Sequence, residues 1–154
     1  MTSSRTASTH DSTAPTALAW SPAQKFAAVF GAVYLLVGVA GFVLTGFDDF
    51  AGHHHSTLVV FAVNPLHNVV HLVLAAGWLV GCARHRTARL ANLALGVLLG
   101  LVTVLGAVGG LGVLGMSGLA DPDNFLHLAT ATLSLYFGSV AAGGPAQEEA
   151  VAAR

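Results

Sequence analysis

Apolar residues run along this chain in four long stretches, each closed off by polar or helix-terminating residues. Crossing a bilayer takes about 20 apolar residues in a helix, and the stretches predict spans at about 23–44, 65–83, 88–106 and 122–142. The first opens at Ser21-Pro22-Ala23-Gln24, where Ser21 with Gln24 fits a capping box and Pro22 falls at the first helical position. The second opens at Asn64-Pro65, a good N-cap followed by a good first residue. No Lys, Arg, Asp or Glu occurs from Ser56 to Ala83. The third follows Arg84, His85 and Arg86. The fourth starts at Asp121-Pro122-Asp123-Asn124 and is stopped by Gly143-Gly144-Pro145. Residues 57–63 are apolar but short. They read as an interfacial or re-entrant lead-in, or as extra turns of the second span kinked at Pro65. The Gly-rich stretch from Gly106 to Gly118 reads as a helix end plus a loop.

The fold class this predicts is all-α, an integral membrane four-helix bundle of two tandem helical hairpins. Residues 21–143 form the four-span membrane domain, with a disordered cytoplasmic tail at 1–20 and a short cytoplasmic tail at 144–154. The basic residues set the orientation. With four spans, Arg5, Lys25, Arg84, Arg86, Arg89 and Arg154 all fall on one side, and the positive-inside rule puts both termini in the cytoplasm. The expected location is the cell membrane, with a multi-pass topology.

Composition agrees. The chain is 55% hydrophobic and 8% charged, far below the charge content of soluble domains. A net charge of -1 gives no electrostatic basis for nucleic-acid binding. One cysteine, Cys82, excludes an internal disulfide framework and a Cys-based zinc ribbon. There is no Gly-x-Ser-x-Gly, phosphate loop or His-Glu-x-x-His.

The candidate chemistry lies in Asn64-Pro65-Leu66-His67-Asn68-Val69-Val70-His71 and in the shorter Asn124-Phe125-Leu126-His127. His67 and His71 are four residues apart and share a helix face. Asn64-x-x-His67 and Asn124-x-x-His127 open spans two and four. They suggest an internal repeat that superposes 23–83 on 88–142, pairs His67 with His127, and has its pseudo-twofold axis along the membrane normal. With Asn64 and Asn124 as N-caps, both imidazoles would sit at the third helical position, about one turn below the outer surface. In that register Leu128 and Ala131 stand where Asn68 and His71 would repeat, so the site is not twofold symmetric.

Two readings of the cluster follow. In the first, Asn64, His67, Asn68, His71, Asn124 and His127 cap helix starts and hydrogen-bond across the bundle. The protein is then a non-enzymatic membrane protein, structural or accessory to a complex, that needs no cofactor. In the alternative, His67, His71 and His127 hold a transition metal, or a haem sits between His127 and one of the other two. A small transporter or proton relay ranks below both, because the inner half offers few polar groups. The expected partners are the lipid bilayer and a membrane protein or a second copy of the chain. His53-His54-His55 reads as a solvated loop, and Tyr34 as an ordinary packing residue of the first span.

The Asn-Pro-Leu-His-Asn-x-x-His motif with its later Asn-x-x-His resembles an uncharacterised family of four-helix bacterial membrane proteins, common in actinobacteria and catalogued as domain of unknown function 4383. The resemblance covers about Lys25 to Ala142. It implies the four-span architecture and marks Asn64, His67, Asn68, His71, Asn124 and His127 as motif residues. It implies no established activity.

Overall fold

A computed structural model describes residues 20–51, 56–116 and 118–139. The two tails and the His53–His55 triplet fall outside them, as do the last residues of the predicted fourth span. The described part is mostly helical, with four long helices: α1 (Pro22–Thr45), α2 (Pro65–Gly81), α3 (His85–Ala107) and α4 (Pro122–Ser139). A short hairpin of β1 (Ser56–Leu58) and β2 (Phe61–Val63) precedes α2, and a single 3-10 turn, Gly112–Leu114, lies between α3 and α4.

The predicted starts of α1 and α2 form as their sequences direct. The Ser21 hydroxyl accepts from the Gln24 amide N–H at 3.3 Å, and Gln24 Oε1 accepts from the Ser21 N–H at 3.2 Å, which completes the capping box. Asn64 Oδ1 accepts from the His67 N–H at 2.9 Å, with Pro65 in the first turn.

Two details differ from expectation. Residues 57–63 form neither a re-entrant segment nor added helix. Ser56 pairs with Val63, Thr57 with Ala62 and Leu58 with Phe61 in an antiparallel hairpin. Thr57, Phe61 and Val63 favour extended backbone, and the extended Asn64 cap with Pro65 behind it stops α2 from growing backwards. The second difference is the start of α4. The helix begins at Pro122, and Asp121 Oδ1 accepts from the Asp123 N–H at 3.1 Å. Asn124 is therefore the third helical residue and not the cap, and His127 is the sixth. Pro122 fits the first turn without needing its missing N–H, so the Asp121-Pro122 start prevails over the one at Asn124.

Two of the helices, α1 and α3, are long and apolar enough to cross a membrane. The other two carry the polar residues. At 17 residues, α2 is at the short end of spanning length, and α4 places Asp123, Asn124, His127, Thr130 and Ser134 among its buried residues.

α1 packs along α2, and α3 along α4. Glycines set the closest approaches. A Cβ on Gly31 would lie 2.8 Å from the Leu79 side chain, and one on Gly96 would lie 2.9 Å from that of Leu135. Gly41 is covered in the same way by the Asn68 side chain, and Gly106 by Asn124 and Met116. Gly77 faces Leu95 and Gly81 faces Ala91, so this pair of small residues serves α2–α3 packing within the chain. Between the hairpins, Phe26 stacks on Phe137 at 5.0 Å, and within the first hairpin it meets Trp78 edge-on at 6.3 Å. Asn92 donates to Ala23 O at 3.1 Å, and the Ser134 hydroxyl donates to Asn92 O at 2.7 Å, which ties α1, α3 and α4 together.

Hydrogen bonds gather the helix ends. Gln24 Nε2 donates to Cys82 O at 3.1 Å, His85 Nδ1 hydrogen-bonds with the Ser21 hydroxyl at 2.8 Å, and Arg89 Nε donates to Gly138 O at 3.0 Å. One end thus collects the start of α1, the α2–α3 turn and the end of α4. At the other end Leu66 N–H donates to Phe50 O at 3.0 Å, and Asn64 Nδ2 to Val113 O at 2.7 Å.

Candidate functional site

All six motif residues are buried, none more than 4% exposed. Buried polar groups need partners, and each asparagine amide finds one, although Asn68 Oδ1 and Asn124 Oδ1 have none among the described residues. Asn64 caps α2 with its carbonyl oxygen and ties the helix start to the α3–α4 loop with its amide. Asn68 Nδ2 donates to the Thr45 hydroxyl at the end of α1 at 3.0 Å, and Asn124 Nδ2 donates to Gly118 O at 2.7 Å. Asn68 thus links the start of α2 to the end of α1, and Asn124 links the start of α4 to the loop just before it.

The histidines do something different. The His67 and His71 ring centroids are 4.4 Å apart, and His127 lies 6.2 Å from His67 and 6.3 Å from His71. One ring nitrogen from each of the three falls within 4.8 Å of the others. The rings therefore converge on a single point, reached from two helices whose backbones make few close approaches. His67 Nδ1 lies 3.3 Å from Ala62 O. A carbonyl only accepts, so this contact makes Nδ1 the protonated nitrogen and leaves the Nε2 lone pair for the cluster. His71 Nδ1 and His127 Nδ1 are buried and have no hydrogen-bond partner among the described residues. Stranding a buried polar atom costs about 1–3 kcal/mol, so the arrangement favours whatever can take up these nitrogens.

Ligand nitrogens around a tetrahedral ion bound at about 2.0–2.1 Å lie roughly 3.3 Å apart. Drawing the rings in from 4.8 Å takes small side-chain rotations. Imidazole without thiolate suits zinc, copper, iron or nickel. The Ala62 carbonyl holds His67 as a backbone carbonyl commonly holds a ligating histidine from behind.

Two further residues stand at this centre, Tyr34, read from the sequence as an ordinary packing residue, and Asp123, read only as part of a helix start. Tyr34 stands edge-on to His71 at 5.3 Å and to Trp78 at 5.0 Å, so it walls the cluster besides packing α1. Asp123 is 1% exposed, and its Oδ2 has no hydrogen-bond partner among the described residues. It lines a cavity together with His71. The signal that finds it is a second Asn-x-x-His within the long motif, Asn68-x-x-His71, which aligns Asp123 with His67.

Four helices, two of them apolar enough to span a membrane, with paired polar helix starts buried together, define a small helical protein with membrane character and a histidine centre. The chain belongs to the family described as a domain of unknown function (DUF4383), whose model matches residues 24–140. No curated protein and no solved structure matches the chain.

Proposed function

We propose that this protein is a four-span integral membrane bundle that holds one transition-metal ion between His67, His71 and His127. The observation that carries the reading is the convergence of three buried imidazoles to within 4.8 Å, two of them with a Nδ1 that has no partner among the described residues. Three rings around one point favour an ion over a haem, which needs two opposed rings and a slot for the macrocycle between them. Membrane insertion as two tandem hairpins is supported by the apolar outward faces of α1 and α3, which expose Val29, Leu36, Val43, Leu98, Leu101 and Val104. Cytoplasmic termini are supported by the shared end at which Lys25, Arg84, Arg86 and Arg89 lie.

The internal repeat belongs to this proposal in a changed register. The same shift carries Gly31 to Gly96 and Gly41 to Gly106, while a second carries Leu79 to Leu135 and Asn68 to Asn124. Those contacts relate His71, not His67, to His127, and set His67 opposite Asp123. The ion would then lie beside the pseudo-twofold axis, with the non-equivalent His67 completing the set.

The test is metal content and cobalt binding of protein purified without chelator. One ion per chain is expected, with a tetrahedral cobalt(II) absorption spectrum after exchange. His71→Ala and His127→Ala should each abolish it, while Asn124→Ala should weaken it less. Absence of any stoichiometric ion, together with no cobalt(II) binding at micromolar concentration, overturns the metal reading. The structural reading is favoured by the asparagine bonds to Val113, Thr45 and Gly118. It expects the cluster to fix hairpin docking without an ion, and a stability unchanged by chelator.

A further inference from the structure

A cavity of about 300 Å³ lies between α1, the β-hairpin and the starts of α2 and α4. Its walls are aliphatic and aromatic, including Val37, Ala40, Leu58 and Phe61, and its only polar lining residues among the described ones are His71 and Asp123. The volume is at the lower end for small-molecule sites, and an apolar lining with a few polar groups is their usual character. Leu36 and Val59 at its rim are 68% and 85% exposed, so the way in passes over apolar surface. Val59 is held at φ 63°. That conformation is costly for a β-branched residue, and such strain gathers at ligand clamps and switch regions.

Both polar residues are at least nine-tenths buried, and each carries an atom with no protein partner among the described residues, His71 Nδ1 and Asp123 Oδ2. An imidazole and a carboxyl lining one cavity present a donor and an acceptor between them, whichever of the two holds the proton. A hydroxyl group has one donor and two acceptor positions, so it can satisfy such a pair in either arrangement. A carbonyl only accepts, and a hydrocarbon does neither.

We infer that this cavity is a binding site for a lipid-soluble alcohol or phenol, whose hydroxyl group hydrogen-bonds Asp123 and His71 and whose apolar body fills the space against Val37, Ala40 and Phe61. The inference goes beyond the metal reading and does not require it. Asp123 is outside the three-histidine group, whereas His71 Nδ1 serves both readings, so a bound ion would compete with the hydroxyl for it.

The experiment uses the full-length protein in detergent with chelator present. Thermal unfolding is followed while 2-naphthol, 1-octanol or naphthalene is titrated, since a ligand that binds the folded state raises the unfolding temperature with its concentration. At least one of the two hydroxyl compounds should bind about tenfold more tightly than naphthalene, as expected for a hydrogen bond gained in an apolar site. Preference for 2-naphthol would assign a flat ring, and preference for 1-octanol a chain. Asp123→Leu should erase the advantage of the hydroxyl while leaving naphthalene binding. Asp123→Asn, which keeps a donor and an acceptor, should retain most of it. Ala40→Phe, which fills the cavity away from the polar pair, should weaken all three. Equal binding of naphthalene and both hydroxyl compounds, or hydroxyl binding that survives Ala40→Phe, overturns the inference. Because the ion is stripped throughout, failure here leaves the metal reading standing, and loss of the metal reading leaves this result intact.

Discussion

In the α1–α2 hairpin, Gly31 lies under Leu79 and Gly41 under Asn68. In the α3–α4 hairpin, Gly96 lies under Leu135 and Gly106 under Asn124. The seams match, and the residues facing away from them do not. In the repeat register proposed above, His67 in the first half would answer to Asp123 in the second, Tyr34 to Leu99, and Trp78 to Ser134. The first hairpin therefore supplies two imidazoles and most of the aromatic wall. The second supplies one imidazole, a carboxyl and the Ser134–Asn92 link to α3. Helix–helix packing constrains the seam, because small residues under large ones let backbones approach. The facing side is free to diverge, and the chemistry lies there.

The largest effects should come from the seams. At Gly41 and Gly106 a side chain would collide with Asn68 and Asn124, both buried and each held by a hydrogen bond from its Nδ2, so neither can move aside cheaply. Gly41→Val and Gly106→Val should each cost about 3 kcal/mol or more, at the upper end of overpacking penalties. Unfolding in detergent followed by circular dichroism measures this. If one variant is tolerated and the other is not, the two seams are not equivalent, and the repeat register drawn from them fails.

Much of the frame could be read from the sequence because it depends on local chemistry. Ser21-Pro22-x-Gln24 and Asn64-Pro65 start helices through contacts three residues long. What depends on long-range pairing could not be read. Asn64-Pro65-Leu66-His67-Asn68-Val69-Val70-His71 contains Asn-x-x-His twice, four residues apart. Either copy can be matched to Asn124-x-x-His127, and only the glycine contacts across the hairpins choose between them. The strand tendency of residues 57–63 was hidden by apolarity, which helix and strand share over so short a run. Asp123 was hidden by position, since an acid in the first turn normally faces water and favours the helix dipole there. Its burial arises from α1 and the β-hairpin folding over it, which no local rule anticipates.

A smaller effect separates the two helix starts. Asn64 both caps α2 and holds Val113 O, whereas Asn124 sits inside α4 and holds Gly118 O alone. Asn64→Ala should cost about 2 kcal/mol, the sum of a lost cap and a stranded carbonyl. Asn64→Ser keeps a capping oxygen but cannot reach Val113, and should cost about 1 kcal/mol. Asn124→Ala should fall near the Ser variant. Chemical denaturation of the three variants gives the comparison. Equal losses for Asn64→Ala and Asn64→Ser would show that capping contributes nothing and that the loop tie carries the whole effect.

The smallest effect is expected at Gly100, and its sign carries the information. Gly96-x-x-x-Gly100 has the spacing of a helix–helix seam, yet the two positions differ. Gly96 is pressed against Leu135, while a Cβ on Gly100 would meet nothing within 4 Å. Within one chain, then, Gly100 serves no close approach, and Ala there should fit freely. Glycine in a helix interior costs roughly 0.5–1 kcal/mol relative to alanine, so Gly100→Ala should leave stability unchanged or raise it by up to about 1 kcal/mol. A second copy of the chain packed on this face would reverse the sign, because the added methyl would push the two backbones apart. Unfolding measured alongside the oligomeric state, by light scattering in detergent, tells these apart. A gain in stability with no change in mass keeps Gly100 as lipid-facing surface. A loss of stability that accompanies a fall from dimer to monomer would identify the Gly100 face of α3 as the contact between copies.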